Sequence, residues 1–187
     1  MESFEKKPNL VFYSAQANIN YMVNEMRLIE AVTCIRFVVR TVEIDFLEII
    51  NSNGCWSWLG RRGGRQELSM RSPGCMREGT MVHEAIHALG FNHMHNSADR
   101  DDFVRILWEN IPQETQRNFN TVNPNTMHNF NTPYDLRSVM HYWRNAFGIN
   151  GRDTIVPHNS AYLNIIGQAS MSSGDVTRLN RMYECIL

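Results

Sequence analysis

The run His83-Glu84-Ala85-Ile86-His87-Ala88-Leu89-Gly90-Phe91-Asn92-His93 constrains this chain more than any other feature. Two histidines four residues apart on a helix project from one face, displaced about 6 Å along the axis. They can therefore share one ion. Nothing from Gly79 to Leu89 breaks a helix and Gly90 is a natural stop, so a helix is expected over about 79–89. Gly90 also frees the backbone to turn sharply and return His93 towards the metal as a third ligand. Three imidazoles around a tetrahedral ion leave one position open, as one catalytic Zn2+ requires. Glu84 sits beside the first ligand but does not face the ion as the histidines do, which suits a base acting on water at the metal. The bland alternative is a buried helix with surface histidines and a solvated Glu. It needs three His, a Glu and a Gly to fall at these spacings by coincidence. His95, His128 and His158 have no such partner spacing and are read as structural.

The rest of the composition sets limits. Lys and Arg number 18 against 19 for Asp and Glu, a balance that favours neither nucleic acid nor an anionic membrane surface. No apolar run approaches the roughly 20 residues needed to span a bilayer, and residues 1–7 lack the apolar stretch of a signal peptide, so the chain as given is expected to be soluble. Cys34, Cys55, Cys75 and Cys185 lie far apart with no CxxC spacing, which disfavours a zinc knuckle and points to disulfides. Three pairings are open at this level. Oxidised cysteines imply a secretory or extracellular compartment.

At 187 residues the chain is expected to form one domain. Ile19, Met22, Val23, Met26 and Ile29 recur at helical spacing, predicting an amphipathic helix over 18–32. Strands are expected around Ile35, Phe37 and Val39, at 46–50, near Trp56 to Leu59 and from Glu67 to Met70, with a glycine-rich turn over 60–64. Residues 111–170 are rich in Asn, Pro, Gly and Ser and read as irregular, with a short helix at Gln113 to Asn120. Ser173, Asp175, Val176, Leu179, Met182 and Tyr183 predict a capped final helix ending at Cys185.

The extended string HExxHxxGxxH is the metzincin signature. With its continuation into Asp99-Arg100-Asp101, it resembles the zinc motif of one metzincin family, the astacin metalloproteases. The resemblance runs through nearly the whole chain: Cys34-Ile35-Arg36-Phe37, Gly54-Cys55-Trp56-Ser57, Gly63-Gly64-Arg65-Gln66-Glu67-Leu68-Ser69, Ser138-Val139-Met140-His141-Tyr142 and Thr154-Ile155-Val156-Pro157 fall in the family's order. It implies an α+β, two-lobed catalytic domain over 1–187. The upper lobe, about 1–93, would carry a twisted, mostly parallel sheet and the zinc helix. The lower lobe, 94–187, would be irregular and end in the final helix. It also implies disulfides Cys34 to Cys185 and Cys55 to Cys75, Met140 as the residue of a turn under the zinc site, and Tyr142 as both a metal ligand and a catalytic group. A phenol suits that double role, because it can bind metal and then donate a hydrogen bond to a developing oxyanion. Peptide substrates would bind as an added strand along a sheet edge.

Two positions depart from the family pattern. Met94 stands where most members place a Glu that contacts the N-terminus released from a propeptide, and Ser97 stands where Arg is common. Met94 cannot form an ion pair, so either the N-terminus is held differently here or its position does not matter. The opening Met1-Glu2-Ser3-Phe4 does not resemble the family's usual mature end.

The leading expectation is a secreted, monomeric zinc endopeptidase acting on protein or peptide substrates, with Glu84 activating the water that attacks. The rival is a catalytically silent, zinc-containing binding or adhesion module, disfavoured because base, ligands and Tyr142 are all retained. An intracellular zinc peptidase would need reduced cysteines. Residues 143–157 are expected to wall the pocket for the side chain after the scissile bond. Arg152 there either favours acidic residues or is a solvated loop charge.

Overall fold

The computed structural model describes residues 9–124 and 127–185. These fall into two compact units, one reaching to Phe91 and resuming at Val176, the other covering Asn92–Asp175.

The first unit is built on a five-stranded sheet. Its strands are β1 (Asn9–Tyr13), β2 (Arg36–Val39), β3 (Phe46–Ile50), β4 (Cys55–Ser57) and β5 (Arg65–Met70), in the order β2-β1-β3-β5-β4. β1 runs parallel to β2 and β3, β3 parallel to β5, and only β4 is antiparallel to its neighbour. The expected mostly parallel sheet is therefore present. It includes one strand that sequence patterning does not predict, since β1 buries Leu10 and Phe12 between β2 and β3.

A parallel pair requires a crossover, and α1 (Ile19–Glu30) supplies the one between β1 and β2. It buries Met22, Met26 and Ile29, three of the five residues whose spacing predicts it. α1 packs on α2 (Thr80–Ala88), whose Met81, Val82, Ala85 and Ile86 complete this core with Ile49, Leu68 and Met70. Gly79, the N-cap of α2, carries no side chain, but its N–H donates to Glu25 on α1 at 2.8 Å.

Disulfides join Cys34 to Cys185 and Cys55 to Cys75, as the family resemblance implies. On the chain-entropy model, closing these two loops contributes up to about 5 and 3 kcal/mol.

The second unit has little regular structure. Two three-residue strands, β6 (Val104–Ile106) and β7 (Ile155–Pro157), pair antiparallel across some fifty intervening residues. Their apolar faces join Ile111, Phe119, Leu136 and Ile166 in one core, on which Phe103, Tyr134, Tyr142 and Tyr162 pack. The helix expected at Gln113 to Asn120 forms as a 3-10 helix over Gln113–Phe119.

The last helix, α3, spans Ser173–Met182. Its cap lies one residue earlier than expected. Ser172 Oγ accepts the Asp175 N–H at 3.0 Å and Asp175 returns the bond to the Ser172 N–H at 2.9 Å, a reciprocal capping box. Among the described residues no helix is long and apolar enough to cross a membrane.

Candidate metal centre

His83 and His87 leave the same face of α2, with ring centroids 4.7 Å apart and planes nearly perpendicular. The orientation of His87 has an identifiable cause. Its Nδ1 lies 2.7 Å from the carbonyl oxygen of Phe91, which can only accept, so the ring proton belongs on Nδ1 and Nε2 keeps its lone pair for a metal. Burial, reinforced by His83 nearby, lowers the His87 pKa to about 3 and holds the ring neutral.

The helix stops because Gly90 takes φ +104°, a conformation that strains any side-chain-bearing residue. The carbonyl of His87 accepts the N–H of both Gly90 and Gly60, each at 2.9 Å, closing the C-terminus. Three residues beyond Gly90 comes His93. One ring nitrogen from each of His83, His87 and His93 lies within 4.8 Å of the others. Zinc at 2.0–2.1 Å from three tetrahedral imidazoles needs nitrogens about 3.3 Å apart, so this group fits the ion with small ring movements.

Glu84 is only 5% exposed, and its Oε2 has no hydrogen-bond partner among the described residues. Desolvation raises its pKa to about 8. An orphaned buried carboxyl is costly for a fold that does not use it. The positive charge of a bound metal would draw this pKa back towards neutrality.

The segment expected to form a turn under the site is firmly tied within the second unit. The buried Asp175 accepts from Ser138 Oγ at 2.5 Å and from the Val139 N–H at 2.9 Å, and Ser138 Oγ in turn accepts the Met140 N–H. The Met140 carbonyl accepts the N–H of Met94, the residue after His93, at 2.8 Å. Met94 is itself 5% exposed, so an apolar side chain suits a position where a carboxylate would need a partner.

Tyr142 has its ring 4.7 Å from that of His93 and is also walled by Phe119, Phe147 and His95. His141 beside it bonds the Tyr142 carbonyl through Nδ1 and the Tyr134 hydroxyl through Nε2, both at 2.8 Å. Its burial lowers its pKa to about 4.

His95, to which spacing assigns no role, is fully buried and lies against Tyr142. No local pattern signals this, because the contact joins segments 47 residues apart. The His158 ring lies against a backbone carbonyl, with Nε2 3.0 Å from the Asp101 oxygen, and Arg152 is exposed.

Residues 9–184 match the family model of Astacin, a family of peptidases. The chain belongs to the astacin family. It is 49% identical over 161 residues to High choriolytic enzyme 1 of Oryzias latipes, covering 86% of this chain and 58% of that protein. It is 42% identical over 155 residues to Meprin A subunit beta of Homo sapiens, covering 82% of this chain and 22% of the relative. The match thus spans little more than half of the first relative and about a fifth of the second. The solved structure of High choriolytic enzyme 1, a hatching enzyme zinc-protease from medaka, superposes with a TM-score of 0.90 at 42% identity. That superposition covers 100% of this chain and 94% of the other.

Proposed function

We propose that residues 1–187 form a single catalytic domain of a secreted zinc endopeptidase that cleaves peptide bonds in protein substrates. His83, His87 and His93 would hold one zinc ion, with Tyr142 as a further, detachable ligand. When bound, the ion supplies Lewis acidity that makes water a nucleophile near neutral pH.

The chain's own groups do the rest. Glu84 takes a proton from the attacking water and delivers it to the leaving amine, which requires a pKa near the working pH. Tyr142 donates a hydrogen bond from its phenol to the oxygen that becomes negative as the carbonyl is attacked, and keeps its proton. The observation that carries this reading is the buried, unpartnered Glu84 oxygen on the helix that bears two members of the three-imidazole group. Two disulfides support an oxidising, extracellular setting. The balanced charge gives no handle for polyanions, and the domain acts as a monomer.

The test is metal removal. The zinc-loaded chain should cleave casein, lose that activity on chelation and recover it with one equivalent of zinc. A chain that binds one zinc yet leaves casein and a mixed peptide library intact would defeat the reading.

A further inference from the structure

The helix bearing His83 and His87 is fastened to the loop that follows β4. Gly60 donates its N–H to the His87 carbonyl at 2.9 Å. Its own carbonyl accepts from Gln66 Nε2 at 2.9 Å, and Gln66 Oε1 accepts the Arg62 N–H at 3.0 Å. Gln66 is 6% exposed, so this clamp lies inside the fold and holds the loop 58–62 rigid against the metal helix. β4 itself is an edge strand that packs against α2. Among the described residues no strand pairs with its outer side, a surface on which an extended peptide can add as a strand.

Trp58 follows β4 directly and is 48% exposed, with Trp56 at 6.1 Å in an edge-to-face arrangement. The Arg62 guanidinium sits over the Trp58 ring, 4.3 Å from its centroid. Arg61 is paired with Asp45, and Arg65 with Glu48 and Glu67. Arg62 is exposed and has no carboxylate partner among the described residues. The guanidinium is a planar fork that matches a carboxylate, and the indole it lies over helps to order it.

We propose that Trp58 and Arg62 form a subsite that selects an acidic side chain of a peptide laid along β4, on one side of the scissile bond. This rests on the peptidase reading, whose substrate class it narrows.

The test uses zinc-loaded protein and matched fluorogenic peptides carrying Glu or Gln at each of four positions on either side of the cleaved bond. At one position, or two adjacent ones, Glu should raise kcat/KM about three- to tenfold over Gln, the range for an ordered but solvent-accessible ion pair. The preference should shrink as ionic strength rises. Arg62→Gln should bring the Glu/Gln ratio to about one and Trp58→Ala should reduce it. Arg27→Gln, which removes the same charge from α1, should leave it intact. Cleavage of both peptides with a ratio near one at every position, or a ratio that survives Arg62→Gln, overturns the subsite and leaves the peptidase reading standing. Failure to cleave any of the peptides removes the peptidase reading and the subsite together.

Discussion

The imidazole of His95 lies flat on the phenol ring of Tyr142, with centroids 3.8 Å apart and planes 25° from parallel. His95 is fully buried and its Nε2 is 3.1 Å from the Asn118 carbonyl, so it forms a fixed wall for Tyr142 two residues after His93.

That wall should matter for turnover and not only for stability. His95→Ala opens a void expected to cost about 2–4 kcal/mol, and, on the proposal that Tyr142 serves the transition state, it should lower kcat more than it raises KM. His95→Phe keeps a flat ring in place and should recover most of kcat. Thermal melts with steady-state kinetics separate the two effects. Equal kcat losses in both variants would show that the stacked ring positions nothing.

Glu84 makes the metal-free protein sensitive to pH in a definite direction. Burial raises its pKa from 4.5 to about 8, so the folded state binds this proton more tightly than the unfolded state. Its contribution is fully present below about 4.5 and is lost as pH rises to about 8. The buried neutral His87 and His141 act in the opposite sense, but only below 6.5, their unshifted value. Between pH 6.5 and 8 Glu84 therefore contributes a fall in stability. Chelator-treated wild type should lose Tm across that window, while chelator-treated Glu84→Gln should not, and the variant should be about 1–3 kcal/mol more stable at pH 8. Parallel Tm curves for the two proteins would count against a carboxyl held protonated by burial.

Gly90 links the helix to its third histidine. A Cβ there would sit at φ +104° and 3.0 Å from Met182 Cε, a flexible side-chain end, so backbone strain is the larger cost, about 1–3 kcal/mol. The strain falls on the turn whose Phe91 carbonyl sets the His87 tautomer. Gly90→Ala should therefore weaken zinc about 10- to 100-fold as well as lower Tm. Competition against a chromogenic chelator measures this, and unchanged affinity would mean the turn is not needed to orient the ligands.

How much of the fold and site is legible in the sequence depends on how local each cause is. α2 is readable because its stop is a single residue, Gly90, and its chemistry a fixed spacing. β3 matches the expected 46–50, where the chain is apolar enough to read as a strand alone. β1 is not readable because Asn9–Tyr13 is a short run whose strand identity comes from pairing with β2 and β3, far along the chain. The β6–β7 pair is hidden for the same reason, each strand being only three residues long. The capping box falls one residue from its expected place because Ser172 and Ser173 are equally good caps by composition. His95 and the Trp58–Arg62 stack have no periodic signature at all, since both depend on where distant or turning backbone brings a ring.

Glu84→Gln, measured for zinc content and casein cleavage on the same preparation, bears most directly on the catalytic role of this carboxyl. One zinc per chain is expected, as in the wild type, with activity lowered by a factor of about a hundred or more, since a positioned general base contributes about 10²–10⁴. A variant that holds its zinc and cleaves casein at the wild-type rate would contradict the role given to Glu84.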